Sequence, residues 1–323
     1  MKFAAPGPAA VVATLCTAAV SVAALVLGGP PAPLPRDAAA TEFSAERAMA
    51  HISQIAQRPH PMGSADHARV RDYLAQELTA LGLSVERQDA VAIRRGPSNR
   101  AGRVENVMVR LAGTASTGAI LLATHYDSVP AGPGAADAGS GVGALVETLR
   151  ALRAGPPLGN DLIALFTDGE EFGLLGAEAF VSEHPWAKEV RLALNVEARG
   201  TSGPAQMFET GAGNGLIVRE WAAAVPHPTG SSLTYEVYKR MPNDTDFTVF
   251  KRLNVTGLNF AFVGNWEAYH TPLDSVSNLD RGSLQHHGLA ALALVRRFGT
   301  LDLATIRDRD AIYFSIPIIR AAV

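Results

Sequence analysis

Two adjacent glutamates, Glu170 and Glu171, stand in Leu165-Phe-Thr-Asp-Gly-Glu-Glu-Phe-Gly173, directly after an apolar run. His125-Tyr-Asp127 follows Ile120-Leu-Leu-Ala-Thr. Asp137 lies among Gly132, Gly134, Gly139 and Gly141. Glu197 follows Leu192-Ala-Leu-Asn-Val, and His270 closes an aromatic loop. Imidazole and carboxylate donors of this kind suit hydrolytic metals. Two such ions ~3.5–4 Å apart need a shared anionic ligand. Asp137 is the natural choice, because its flanking glycines let the backbone come close. Water between the ions has its pKa lowered toward ~7, but it still needs a proton acceptor that is not tied to metal. Adjacent residues point in different directions, so one of Glu170 and Glu171 can ligate while the other takes the proton.

Taken singly, each residue has a plainer reading. His125 is then a satisfied histidine at a sheet edge, Asp137 a turn residue, Glu170-Glu171 an acidic helix start, and His270 a loop histidine. The joint reading is favoured because all of them fall beyond predicted strands or in loops on one side.

The elements that must hold them follow from periodicity and punctuation. Helices are predicted over 46–55, 64–81, 141–154, 174–181, 215–224 and 284–298, with Pro59, Pro61 and Gly82 as breaks. Strands are predicted over 83–88, 104–111, 119–124, 161–166, 191–196 and 255–262. This alternation implies a three-layer α/β fold, with a mostly parallel central sheet and helices on both faces. Ligands bind such sheets outside the carboxyl ends of the strands, where the candidate residues fall.

Hydrophobic residues make up 47% and charged residues 18% of the chain, enough for a full core. A net charge of −3 without a basic cluster argues against a nucleic-acid partner. Cys16 is the single cysteine, which excludes an intrachain disulfide and a cysteine-based metal site. Residues 3–35 carry no charge, and 9–27 are almost wholly apolar, long enough to cross a hydrocarbon core of ~30 Å. Lys2 before them favours a cytoplasmic N-terminus and an exported remainder. The segment reads either as a signal anchor or as a cleaved signal peptide, followed by a stiff proline-rich linker over 28–35. The catalytic domain is therefore expected outside the cytoplasm, membrane-anchored, or secreted or periplasmic after cleavage.

In order along the chain, His125-Tyr126-Asp127-Ser128, Ala136-Asp-Ala-Gly-Ser-Gly141, Asp168-Gly-Glu-Glu171, Asn195-Val-Glu197 and Tyr269-His-Thr-Pro-Leu-Asp274 resemble the successive motifs of the M28 family of zinc peptidases, across roughly residues 45–300. The resemblance implies the zinc exopeptidase fold and two Zn²⁺ per chain. It places His125 and Glu197 on one zinc, Glu171 and His270 on the other, and Asp137 between them. Glu170 is then the general base, Asp127 the acceptor of the free imidazole N–H of His125, and Tyr269 a hydrogen-bond donor to the developing oxyanion. Two positions depart from many relatives. Ala138 stands where a polar residue is common, and Glu197 stands where aminopeptidases often carry Asp; both acids are acceptable zinc ligands.

Met241–Phe250 together with Tyr269–Ser275 is most similar to the membrane-tethered branch of that family, the endoplasmic-reticulum and vacuolar type and its bacterial relatives. The expected organisation is a signal segment and linker over 1–40, a peptidase domain over 41–305 and an apolar tail over 306–323. The tail is either the approach to a further membrane segment or an edge strand or short helix packed on the domain. The expected activity is a two-zinc exopeptidase of aminopeptidase type acting on peptides. The alternatives are a single-zinc acyltransferase resembling glutaminyl cyclase and a non-catalytic binding ectodomain. Asp244 and Asp246 read as loop acids capping a helix over 247–251. Arg199 and Arg240 are candidates to meet a substrate carboxylate or carbonyl. His51, His60, His67, His184, His227, His286 and His287 read as surface or structural.

Overall fold

The computed structural model describes residues 7–96, 99–316 and 321–322. Its helices are α1 (Pro8–Leu27), α2 (Ala45–Ile55), α3 (Ala65–Ala80), α4 (Gly139–Arg153), α5 (Leu175–Glu183), α6 (Gly215–Ala224), α7 (Ser232–Tyr238), α8 (Asp246–Phe250) and α9 (Arg281–Phe298). Its main sheet contains β1 (Val85–Arg94), β2 (Arg100–Leu111), β3 (Ala119–His125), β4 (Asp161–Thr167), β5 (Val190–Ala198), β6 (Gln206–Thr210) and β7 (Thr256–Phe262), in the order β1-β2-β4-β3-β5-β7-β6.

The central strands β4, β3, β5 and β7 run parallel, and the pairings β1–β2, β2–β4 and β6–β7 are antiparallel. Strands β3 and β4 are buried at every position, which is why they read as continuous apolar runs. Alternate residues serve opposite layers. Ile120 and Leu122 pack in one cluster with Leu145 and Leu149 of α4 and Leu294 of α9. Leu121 and Ala123 pack in the other with Phe180 of α5 and Phe247 of α8. This is the three-layer α/β architecture expected from the sequence.

Two glycines bring the site together. A Cβ on Gly141 would stand 2.1 Å from Thr124 Oγ1 and 2.9 Å from the Val196 carbonyl. The first turn of α4 thus presses directly on β3 and β5, and the loop before it reaches the strand ends. Gly134 takes φ +65° with the Asp137 carbonyl 2.7 Å from its ideal Cβ position, a backbone that an L side chain would strain.

Two elements are absent from the sequence reading. Strand β6 is five residues with a buried acid, Glu209, where a half-exposed strand would place a hydrophobe. Helix α7 (Ser-Leu-Thr-Tyr-Glu-Val-Tyr) is rich in β-branched and aromatic residues and buries none of them. It is started by Ser231, whose hydroxyl accepts from the N–H groups of Leu233 and Thr234.

Helix α1 is uncharged, and its Thr14 and Thr17 hydroxyls donate back to the carbonyls of Ala10 and Ala13. Position 25 lies outside the residues whose side chains are described. Among the described residues no helix is long and apolar enough to cross a membrane. The proline-rich stretch after α1 lies against the domain: Leu34 N–H donates to Gln285 Oε1 at 2.9 Å, and Ser44 Oγ donates to the carbonyls of Leu34 and Pro35. In the tail, Tyr313 is buried edge-on against Trp221, and Ser315–Ile316 pairs antiparallel with Ala321–Ala322. The rest of the tail segment, residues 317–320 and 323, lies outside the described residues.

Candidate active site

The carboxyl ends of the parallel strands deliver the candidate residues to one place. His125 is the last residue of β3, Asp168–Glu171 follow β4, Glu197 sits near the end of β5, and His270 lies in the loop after β7. His270 has φ +59°, a backbone strain of the kind that gathers at functional sites.

Asp137 stands between the two histidines. His125 Nε2 lies 3.1 Å from Asp137 Oδ1 and 3.4 Å from Glu197 Oε2. His270 Nε2 lies 3.2 Å from Asp137 Oδ2 and 3.1 Å from Glu171 Oε2. The two oxygens of one carboxylate thus face two separate imidazole–carboxylate pairs. Tetrahedral zinc with bonds of ~2.0–2.2 Å spaces its ligand atoms roughly 3.3–3.5 Å apart, close to these separations. His125, Asp137 and Glu171 each present a ligand atom within 4.8 Å of the others.

The buried groups also lack the partners that a metal-free role would demand. Glu171 Oε1 and His270 Nε2 are buried without a hydrogen bond, although the imidazole lies so near the carboxylate. Both atoms therefore keep donor capacity that the protein does not use. Four acids, Asp137, Glu170, Glu171 and Glu197, crowd two imidazoles, and buried charge without compensation is costly. Cations at this point would supply the compensation, and the donor set fits zinc.

The electrostatics reflect that crowding. Burial opposes ionisation of Asp137, but the adjacent imidazoles of His125 and His270 outweigh it and hold the carboxyl at about 2. Burial, then the charge of Asp137, pushes Glu171 up to about 7, and burial also raises Glu197. In His270 burial disfavours the cation, yet Asp137 and Glu171 raise it to about 9. Glu170 is raised well above its ordinary value by burial, with Glu197 and Glu171 adding to the effect and His125 opposing it. The Glu170 carboxylate makes no hydrogen bond to protein among the described residues. It lines the adjoining pocket, together with Tyr269 and Arg199.

Asp127 differs from its expected part. His125 Nδ1 donates to the backbone carbonyl of Asp127 at 2.9 Å, while Asp127 Oδ1 stands 3.5 Å away. The carboxylate instead accepts the backbone N–H groups of Glu170 and Glu171, at 3.1 and 3.3 Å. It fixes the turn that aims the two glutamates apart.

Asp244 and Asp246 also differ from expectation. The residue before α8 is Thr245. Asp244 pairs with Arg94, and the buried Asp246 accepts from the Thr167 hydroxyl. Arg240 binds back to Glu236 and is not among the residues lining the pocket.

Two supporting residues, Asp274 and Asn195, have no role in the sequence reading, and His67, read there as surface or structural, is structural. Asp274 accepts the N–H groups of Ala136 at 2.7 Å and Asp137 at 3.1 Å, clamping the loop that carries Asp137. His67, buried against Tyr126, bonds Asp168 Oδ1 at 2.7 Å, and Asp168 Oδ2 accepts from Glu105 N–H. Asn195 donates to Glu197 Oε1 at 3.3 Å. Asp274, Asp168 and Asn195 all lie within the motifs quoted from the sequence, but their partners are distant in the chain or on the same short strand, so the contacts themselves carried no sequence signal. Asp274→Ala is expected to leave two buried N–H groups unsatisfied. The cost is about 1–3 kcal/mol for each, and the midpoint of urea unfolding would show it.

Residues 106–295 match peptidase family M28. The chain belongs to that family. Endoplasmic reticulum metallopeptidase 1 of Rattus norvegicus is 30% identical over 299 residues, which is 85% of this chain and 33% of the relative. This M28 chain therefore spans about a third of that curated relative's length. In fold it is similar to a Zn-dependent exopeptidase from Parabacteroides distasonis, with a TM-score of 0.63, 23% identity, and 80% of this chain and 98% of that chain covered. It is equally similar to Porphyromonas gingivalis glutaminyl cyclase, with a TM-score of 0.63, 23% identity, and coverage of 78% and 98%.

Proposed function

We propose that this M28 member is a two-zinc exopeptidase of aminopeptidase type, exported so that its catalytic domain lies outside the cytoplasm. The observation that carries the reading is Asp137, whose two oxygens face His125 with Glu197 on one side and His270 with Glu171 on the other. These five residues would hold two Zn²⁺. When bound, such a pair lowers the pKa of water and polarises a carbonyl.

The remaining work falls to side chains. Glu170 stands at the pocket free of the donor set, takes a proton from water and passes it to the leaving amine. Tyr269, in the pocket wall beside His270, offers its hydroxyl to the carbonyl oxygen as charge develops there. Burial and the surrounding acids raise the Tyr269 hydroxyl far above its ordinary value, so it stays protonated and can donate. Glu170 and Glu197 give the substrate ammonium an anionic neighbourhood. The uncharged N-terminal segment serves as a signal anchor or is removed as a signal peptide, a reading supported by its sequence and by the endoplasmic reticulum relative, although helix α1 as described falls short of a membrane span.

The fold likeness to a glutaminyl cyclase supports a second reading, a single-zinc acyltransferase acting on N-terminal glutamine. The full chain in detergent separates the two, with zinc content measured beside assays on free and N-blocked peptides. The expected result is two zinc ions, release of N-terminal residues, and loss of activity with a chelator. One zinc with cyclisation of N-terminal glutamine would establish the second reading. A zinc-loaded chain inert on the whole panel would establish a binding ectodomain.

A further inference from the structure

The pocket beside Glu170 contains a cation that the reaction outlined above does not use. Arg199 follows β5, and its backbone N–H donates to the Phe262 carbonyl at 3.0 Å, pinning it to the end of β7. Its guanidinium lies over the ring of Tyr269, 5.1 Å from the centroid, and Tyr269 in turn stacks on His270 at 3.7 Å. Arg199 is the only basic side chain among the residues lining the pocket. Among the described residues its guanidinium has neither a carboxylate within ion-pair distance nor a hydrogen-bond acceptor. Of the acids lining the pocket, Asp137, Glu170 and Glu197 belong to the reacting centre and Asp244 is already paired with Arg94.

A guanidinium presents five donors in a rigid fork and accepts nothing. Half-buried and without an acceptor, it is poised for a planar, bidentate anion. Stacking on Tyr269 holds the fork in place without occupying its N–H groups. The buried ring of Phe208 in the pocket wall lowers the local dielectric and strengthens an ion pair formed there.

We propose that Arg199 recognises a carboxylate of the peptide substrate. Peptides carrying a free carboxylate within reach of the reacting bond are then favoured over neutral ones. This rests on the peptidase reading. The carboxylate has two sources, the C-terminus of a short peptide and an acidic side chain.

Three matched substrates separate them on the full, zinc-loaded chain: a dipeptide with a free C-terminus, its C-terminal amide, and a dipeptide amide bearing Asp in place of one neutral residue. The expected wild-type preference for a carboxylate-bearing substrate over the neutral amide is about 10–100-fold in kcat/KM, mostly through KM. A preference confined to the free C-terminus assigns the terminal carboxylate, and one for the Asp amide assigns the side chain. Arg199→Ala should collapse the ratio to about one. Arg199→Lys should restore only part of it, because an ammonium lacks the fork. Zinc content and unfolding temperature of both variants report whether the fold is intact.

Equal wild-type rates on all three substrates would overturn the proposal alone. So would an unchanged ratio in Arg199→Ala, which would mean that the arginine only steadies Tyr269. Failure of the zinc-loaded wild type to hydrolyse any of the three would reject the peptidase reading and this proposal together.

Discussion

Replacing Glu170 with glutamine should leave zinc content unchanged and lower kcat by about 10²–10⁴-fold, the range that positioned acid–base groups supply. The backbone N–H of Glu170 is tied to Asp127, so the turn keeps its shape in the variant. The side chain makes no protein hydrogen bond among the described residues and stands in the pocket wall. Glutamine therefore replaces it with almost no steric or packing change. What is lost is the capacity to accept a proton. Burial, with Glu197 and Glu171 nearby, already raises that carboxyl well above its ordinary value, which moves it toward the pH at which a base must both take and give a proton. Steady-state kinetics with metal analysis of the same sample would check this, and full turnover with zinc in place would remove Glu170 from the role.

Asp137→Ala should behave differently, losing metal and activity together. In this site a single carboxylate serves both imidazole–carboxylate pairs, so its removal would take one ligand from each of the two proposed ions. Zinc content is expected to fall below half of the wild-type value, with peptidase activity at background. Alanine also removes a carboxylate that the adjacent imidazoles of His125 and His270 hold at about 2, leaving those imidazoles facing fewer acids. The contrast between the two variants separates a ligand from a base. If Asp137→Ala kept its zinc, the bridging assignment would fail even though the fold stood.

Much of this centre was legible because its residues end elements with strong local signatures. His125 closes a strand buried at every position. Glu170 and Glu171 follow another, and Asp137 sits among glycines whose close contacts require their small size. Local pattern also placed the parallel strands, whose apolar runs are the direct consequence of burial on both faces.

What stayed hidden depends on contacts between distant segments. Asp274 clamps Ala136 across 138 residues, and His67 meets Asp168 across 101. Neither pairing leaves a periodic trace. Helix α7 was hidden for a different reason. Its β-branched and aromatic residues carry strand propensity, and the cap at Ser231 sets the outcome. Asp127 shows a third limit. Its neighbourhood to His125 was legible, but only the geometry divides the work between its carbonyl, which takes the imidazole N–H, and its carboxylate, which takes the glutamate turn.

The central claim is that one aspartate holds two ions between two histidines. Crystals of the full chain grown with zinc, with anomalous scattering recorded on both sides of the zinc absorption edge, test it most directly. The account predicts two peaks flanking the Asp137 carboxylate, ~3.5–4 Å apart, one beside His125 and Glu197 and the other beside His270 and Glu171. A single peak in zinc-saturated, active protein, or two peaks that do not share Asp137, would contradict it.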